Sequence, residues 1–349
     1  MTEPAPTSPH PLAELTKARL REFVREKGIL FWVFAFPLLM AIGLGVAFRE
    51  RPAEPPSVAV VGGEDVPAMR ALLEDKALDA KRLGRKEAMR ALSRNKVDLV
   101  VEWRGNRAVM RYDAMAEGAP LARALANDVL QRAAGRRDPL RVAARPEKRP
   151  GARYVDFLIP GLIGMNVMGT SMWGVGYNLV VARKRRLLRR YAVTPMRRSH
   201  FLLSYFISRS TFLVVELAVL ITFGWLMFGT KVQGSIPGVL LLALLGAAAF
   251  AAISLIIGAR VENTESANGW MNFVQLPMWV LSGGFFSYER FPEALHEPIR
   301  WLPLTALCDA LRVVYSGEAT FWTLGHEVIV LVVWSVLGFM IAARTFRWQ

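Results

Sequence analysis

The sequence predicts an all-α polytopic membrane protein of six transmembrane helices, with a small α/β domain inserted between the first and second. Three observations carry that class. Hydrophobic residues make up 53% of the 349 residues, and several windows of about 20 residues, long enough to cross a bilayer, hold almost no charge. Between two of those windows lies a basic turn of Arg183, Lys184, Arg185, Arg186, Arg189, Arg190, Arg197 and Arg198 with no carboxylate among them. The positive-inside rule expects such a loop on the cytoplasmic side. Finally, the polar stretch 49–153 follows the first window directly and carries strand and turn signals rather than long apolar runs.

Residues 1–28 are expected to form a Pro-rich tail and an amphipathic interfacial helix. From Leu12 to Lys27, Leu12, Leu15, Leu20 and Phe23 recur at helical spacing while Lys17, Arg19, Arg21, Arg25 and Lys27 cover the other sides. The first span is predicted over 29–48, kinked by Pro37. Its long n-region and apolar run of about 20 residues favour an uncleaved signal-anchor over a signal peptide.

In the 49–153 domain, Val58–Val61 reads as a buried strand and Pro67–Asp75 and Arg85–Arg94 as short helices. Val97–Trp103 and Arg107–Tyr112 flank Gly105-Asn106, a hairpin signal. A helix over Pro120–Ala134 completes the domain. The five-span remainder, 154–349, places spans at about 154–182, 201–228, 237–259, 267–284 and 324–343. A Pro-broken, aromatic segment at 285–314 can dip into the membrane only where protein covers its backbone. Six spans put both termini inside with the basic turn, Arg260, Arg344 and Arg347, and leave 49–153 outside, since long loops translocate regardless of charge.

The formal charge of +15 does not call for nucleic acid, because much of the excess sits at span ends. In 49–153, Arg and Lys outnumber Asp and Glu by 23 to 15, which fits either an anionic membrane surface or a solvated Arg-rich face. A lone cysteine, Cys308, and four scattered histidines exclude a cysteine metal cluster and a His-Glu-x-x-His site. There is no phosphate-binding Gly-rich loop ending in Gly-Lys-Ser/Thr, so energy for any work comes from elsewhere. Within the spans, Arg209 and Glu216 fall seven residues apart on one face, as a path lining or structural ion pair, or with Arg209 snorkelling and Glu216 protonated or paired elsewhere. Asn166, Asn178, Asn272 and Gln275 read as interhelical hydrogen-bonding groups, Asn166 also as a possible path residue. Gly161, Gly164, Gly169, Thr170 and Gly174 let helices approach closely, which suits a dimer interface or ordinary membrane-helix packing.

Three stretches resemble the membrane subunits of type-2 ABC exporters, the subgroup with a large external loop after the first span. They are FLIPGLIGMNVMGTSMWGVG (157–176), LLRRYAVTPMRRSHFLLSYFISR (187–209) and LSGGFFSYERFPEALHEPIRWLPLTALCDALR (281–312). Such permeases move drugs, lipids or polysaccharides, do no catalysis themselves, and work as dimers with P-loop ATPase subunits that bind the ATP and Mg. The resemblance implies a coupling helix at about 185–196, with the ATPase contact on Arg185, Leu187, Leu188, Arg189, Arg190, Tyr191, Thr194, Pro195 and Met196, and a re-entrant external segment at 285–314. It implies residence in a bacterial cytoplasmic (inner) membrane. Where the family often has acidic residues and a Gly-Thr pair before this helix, the chain has Arg183–Arg186. A membrane-anchored scaffold or sensor using the 49–153 domain is the alternative. A secondary transporter dependent on Glu216 is a third reading.

Overall fold

The computed structural model describes residues 11–48, 55–105, 107–116, 118–140, 153–185 and 198–345. The chain forms two compact units. One runs from Met1 to Arg49 and from Lys148 to Gln349, the other from Glu50 to Glu147.

Helix α1 (Pro11–Arg25) carries its apolar residues on one side and breaks at Glu26, whose backbone is extended. The first span, α2 (Lys27–Ala47), follows. Its course includes a π-helical turn at Phe31–Ala35, and Pro37 is the cause. Proline has no N–H to give to the carbonyl four residues back, and its ring crowds that carbonyl. The freed group is the carbonyl of Val33, and Asn166 Nδ2 donates to it at 3.2 Å from the second span. A backbone acceptor orphaned inside an apolar helix is thereby satisfied by a neighbour.

The second unit is a four-stranded sheet in the order β2-β1-β3-β4. Strands β1 (Ser57–Val61), β2 (Asp79–Arg82) and β3 (Leu99–Arg104) run parallel, and β4 (Arg107–Arg111) is antiparallel to β3. The β3–β4 turn holds Gly105 at φ 60°, a left-handed conformation suited to glycine in a two-residue hairpin. Helices α3 (Pro67–Glu74) and α5 (Ala119–Ala133) cover one face, burying Val58, Val60, Met69, Leu72, Leu99, Val101, Ala122 and Ala126. Helix α4 (Arg85–Ser93) covers part of the other through Ala88, over Ala59, Val61 and Val100. The Asp98 carboxylate accepts from both the Ser57 N–H at 2.8 Å and the Ser57 hydroxyl at 2.9 Å, pinning the starts of β1 and β3 together.

The second span, α6 (Tyr154–Lys184), is the centre of the membrane unit: 78% of its apolar stretch is buried inside the protein, against 22% for the first span. It too has a π-helical turn, at Met172–Tyr177. Helix α7 (Arg198–Phe228) contains the third span, Ile207–Phe228. Helix α8 (Ile236–Arg260) is capped by Ser235, whose side chain accepts from the Gly238 N–H. Helix α9 (Thr264–Leu281) is capped by Asn263, which accepts from Ser266. Short helices follow, including α10 (His296–Arg300), and lead into α11 (Pro303–Ser316), whose Leu304, Leu307, Leu311 and Val314 are buried. The last helix, α12 (His326–Thr345), lies against α8. Five helices among the described residues are long and apolar enough to cross a membrane: α2, α6, the 207–228 part of α7, α8 and α12. Helix α9 is 18 residues long but carries Thr264, Glu265, Ser266, Asn268, Asn272 and Gln275, and so falls short of that apolarity.

Candidate functional site

A cleft of about 870 Å³ lies between α2, α6 and α9. The two π-helical turns both border it, through Trp32 and Val33 on α2 and Trp173, Gly174 and Tyr177 on α6. A π-helical turn widens the helix by one residue and rotates the side chains that follow it, a device common at functional positions. The lining is mostly apolar and aromatic, with Phe23, Phe36, Trp279 and Phe285 joining the two turns. Glu26 is the charged residue on the lining.

Polar groups are few and specific. The Trp173 indole N–H donates to Gln275 Oε1 at 3.0 Å. That fixes the amide so that Gln275 Nε2, in a residue only 3% exposed, has no partner, and the Trp279 indole nitrogen is likewise buried without one. Buried donors left unpaired cost free energy, and both of these belong to residues of the cleft lining.

Behind the cleft wall lies a buried ion pair. Arg209 grips Glu216 with both guanidinium nitrogens, Nη1 to Oε1 at 2.8 Å and Nη2 to Oε2 at 3.1 Å. The hydroxyl of Thr170, which lines the cleft, donates to the Asn166 carbonyl at 2.7 Å, accepts from Arg209 Nη2 and stands 3.2 Å from Glu216 Oε2. With Glu216 2% exposed, the carboxylate is fully desolvated and lies against two side chains, Thr170 of α6 and Arg209 of α7. Asn166 lines the same cleft one helical turn before Thr170, but its amide is spent on Val33 rather than on the ion pair.

At the other end of α6, Arg183 Nη1 donates to the carbonyls of Gly258 at 3.1 Å and Val261 at 3.4 Å, and Lys184 reaches Thr264 Oγ1 at 3.1 Å. A cation at the C-terminus of α8 is favourable for the helix dipole. Arg185 closes α6, its N–H donating to Val181. Leu187, Leu188, Arg189, Arg190, Tyr191, Thr194, Pro195 and Met196 lie outside the described residues. Helix α1 packs on the start of α7, with Phe23 stacked on Phe212 at 3.7 Å between ring centres and Arg19 Nε donating to Ser204.

A family model described as "ABC-2 family transporter protein" matches residues 27–344, which is nearly the whole chain. The chain belongs to the ABC-2 transporter family. It is therefore a type-2 ABC permease, a multi-pass membrane subunit of a transporter, of a family whose members work with an ATPase subunit. No curated protein matches it. The permease's aromatic cleft went unread in the sequence because Trp32, Trp173 and Trp279 sit on three separate helices. Only the crowding of tryptophan around polar Asn166 and Gln275 hints at it.

Proposed function

We propose that this permease exports an apolar, aromatic-rich amphiphile carrying an acceptor oxygen, through the cleft between α2, α6 and α9. It works as a dimer, with a second copy or a homologue, in the bacterial inner membrane. Six spans, with α9 as the fifth, leave both termini inside and 49–153 outside. The segment 285–314 caps the path externally. A separate ATPase subunit binds the ATP and Mg and engages the turn at 185–196. The observation that carries the reading is the cleft itself: aromatic walls, two unpaired buried donors and a wall tied through Thr170 to α7. An external domain of independent fold also suits the anchored scaffold, which needs neither the cleft nor the ATPase.

Co-purification from native membranes, followed by reconstitution into liposomes, tests the reading. A P-loop ATPase should accompany the permease, and charge reversal of Arg189 and Arg190 should break that association. Trp173→Ala with Trp279→Ala should leave the association intact and lower transport of an aromatic amphiphile several-fold. No associated ATPase, with transport unchanged by the Arg189 and Arg190 reversals, would refute the proposal and leave the scaffold.

A further inference from the structure

A second site sits on the sheet unit, on the part of its surface that α4 leaves uncovered. Along β3, Val100, Glu102 and Arg104 alternate onto the face that α4 partly covers, and their partners on β4 are Arg111, Val109 and Arg107. Glu102 is only 7% exposed. Three guanidinium groups converge on it: Arg85 Nε at 3.2 Å from Oε1, Arg104 Nη2 at 3.0 Å and Arg111 Nε at 3.8 Å from Oε2. The hydrogen bond from Arg104 leads in holding the Glu102 carboxyl below its ordinary value, with the charges of Arg104, Arg85 and Arg111 adding to it.

One carboxylate cannot satisfy three guanidiniums. The cluster keeps a surplus of two positive charges, and Arg107 stands directly opposite Arg104 across the hairpin. Like charges placed directly opposite in an antiparallel pair destabilise the sheet. Arg111 Nε is buried yet has no hydrogen-bond partner, its 3.8 Å approach to Glu102 being too long for one. The side chains of Arg85, Arg104 and Arg111 remain 63%, 41% and 41% exposed, so the buried Glu102 carboxylate forms a floor that gathers them where a ligand from solvent can reach them.

We propose that Arg85, Arg104, Arg107 and Arg111, organised by Glu102, form a site for a phosphate group. Guanidinium forks match a tetrahedral oxyanion with several acceptor oxygens, and they gain directional bonds that a halide does not offer. An oxyanion there neutralises the surplus, separates the Arg104–Arg107 repulsion and supplies an acceptor for Arg111. Glu102 is a positioning residue, and its carboxylate competes with the ligand for the same donors. The phosphate belongs either to a lipid headgroup or to a soluble phosphate compound, and the chemistry of the site is the same for both. The inference stands apart from the transport reading, because its residues lie in the other unit.

The full-length permease in dodecyl maltoside micelles, which carry no phosphate, titrated with inorganic phosphate against chloride at equal ionic strength, tests it by amide hydrogen exchange. Reading the β3 and β4 amides separates this site from the basic turn at 183–198. Phosphate should slow exchange in β3 and β4 saturably and chloride should not. Arg104→Ala with Arg111→Ala should weaken the response about tenfold or more, given the strength of charge-assisted bonds. Arg107→Ala, at an exposed position, keeps the fold and should weaken it by less, so the test survives misfolding of the double variant. Glu102→Gln should bind phosphate more tightly than wild type while the ligand-free sheet exchanges faster, a split that a purely structural cluster would not give. In phosphatidylglycerol nanodiscs, a shift of the titration to higher phosphate identifies the lipid headgroup as occupant, and no shift identifies a soluble phosphate compound. A response to phosphate no larger than to chloride, or one unchanged in the arginine variants, overturns the proposal.

Discussion

Breaking the Arg209–Glu216 pair from one side leaves a charge, or an unpaired donor fork, in a desolvated position. Replacing both members by apolar residues of similar size leaves neither. Single removal of a buried partner costs about 3–5 kcal/mol, whereas double apolar replacement is often close to neutral. Glu216→Leu should therefore lower the stability of the detergent-solubilised permease by about 3 kcal/mol, and adding Arg209→Met to it should restore most of that loss. A thermal melt of the four proteins of the cycle decides this, and additive losses would mean the two side chains do not act as a pair. Glu102 gives a second residue-level expectation, this time in pH. Its carboxyl is held below the ordinary 4.5 by Arg104 first and by the other arginines. A depressed folded-state value means its contribution is complete above about 4.5 and is lost as pH falls through the folded value. Protection factors at the β3 and β4 amides, which correct for the intrinsic slowing of exchange in acid, should fall in wild type as pH drops below that point, beyond the change seen in Glu102→Gln. Identical acid profiles would remove the carboxylate from the sheet's stability.

At the scale of elements, the π-helical turn of α6 meets α8 backbone to backbone. A Cβ on Gly176 would stand 2.6 Å from Ser254 Cβ, and one on Gly258 would stand 2.9 Å from the Gly176 carbonyl oxygen. Neither helix can yield without moving its main chain, so Gly176→Ala should lower the melting temperature by several degrees and disturb the cleft that the turn borders. Gly269 on α9 has nothing within 4 Å of its added Cβ, so Gly269→Ala should be neutral or slightly stabilising through helix propensity. Equal effects of the two substitutions would show that the α6–α8 contact is not close. The same contact shows what a sequence can and cannot disclose. Apolar runs of about 20 residues marked α2, α6, α7, α8 and α12, and Gly105-Asn106 marked the hairpin. Strand β2 escaped because Asp79–Arg82 is a four-residue polar edge strand, without the alternation that marks a half-buried one. Of the small residues in α6, Gly161 and Gly164 face the chain's own Gly284 and Cys308, whereas Gly169, Thr170 and Gly174 line the cleft. Composition does not distinguish these uses, since they depend on which helix comes to lie alongside.

For the whole permease, the ties along α6 decide whether a displacement at its C-terminal end would reach the cleft halfway along it. Helix α6 is the buried central rod, and both of its neighbours at that end are tied to it. Arg183 holds the last carbonyls of α8, and Lys184 holds Thr264 at the start of α9. Further along, Thr170 joins α6 to the Arg209–Glu216 pair on α7. A displacement delivered at 185–196 would then carry α6, α8 and the first turn of α9 together, while the ion pair drags α7. Two of the three cleft walls, α6 and α9, would move relative to α2. On this account Arg183→Ala cuts the tie without touching the proposed ATPase contact at 185–196. ATP hydrolysis by the reconstituted complex should persist near the wild-type rate, and substrate transported per ATP should fall several-fold. Measuring both rates in the same liposomes separates the possibilities. A matched fall in hydrolysis and transport would place Arg183 in the proposed ATPase contact itself, and wild-type rates of both would mean that α6 moves independently of α8.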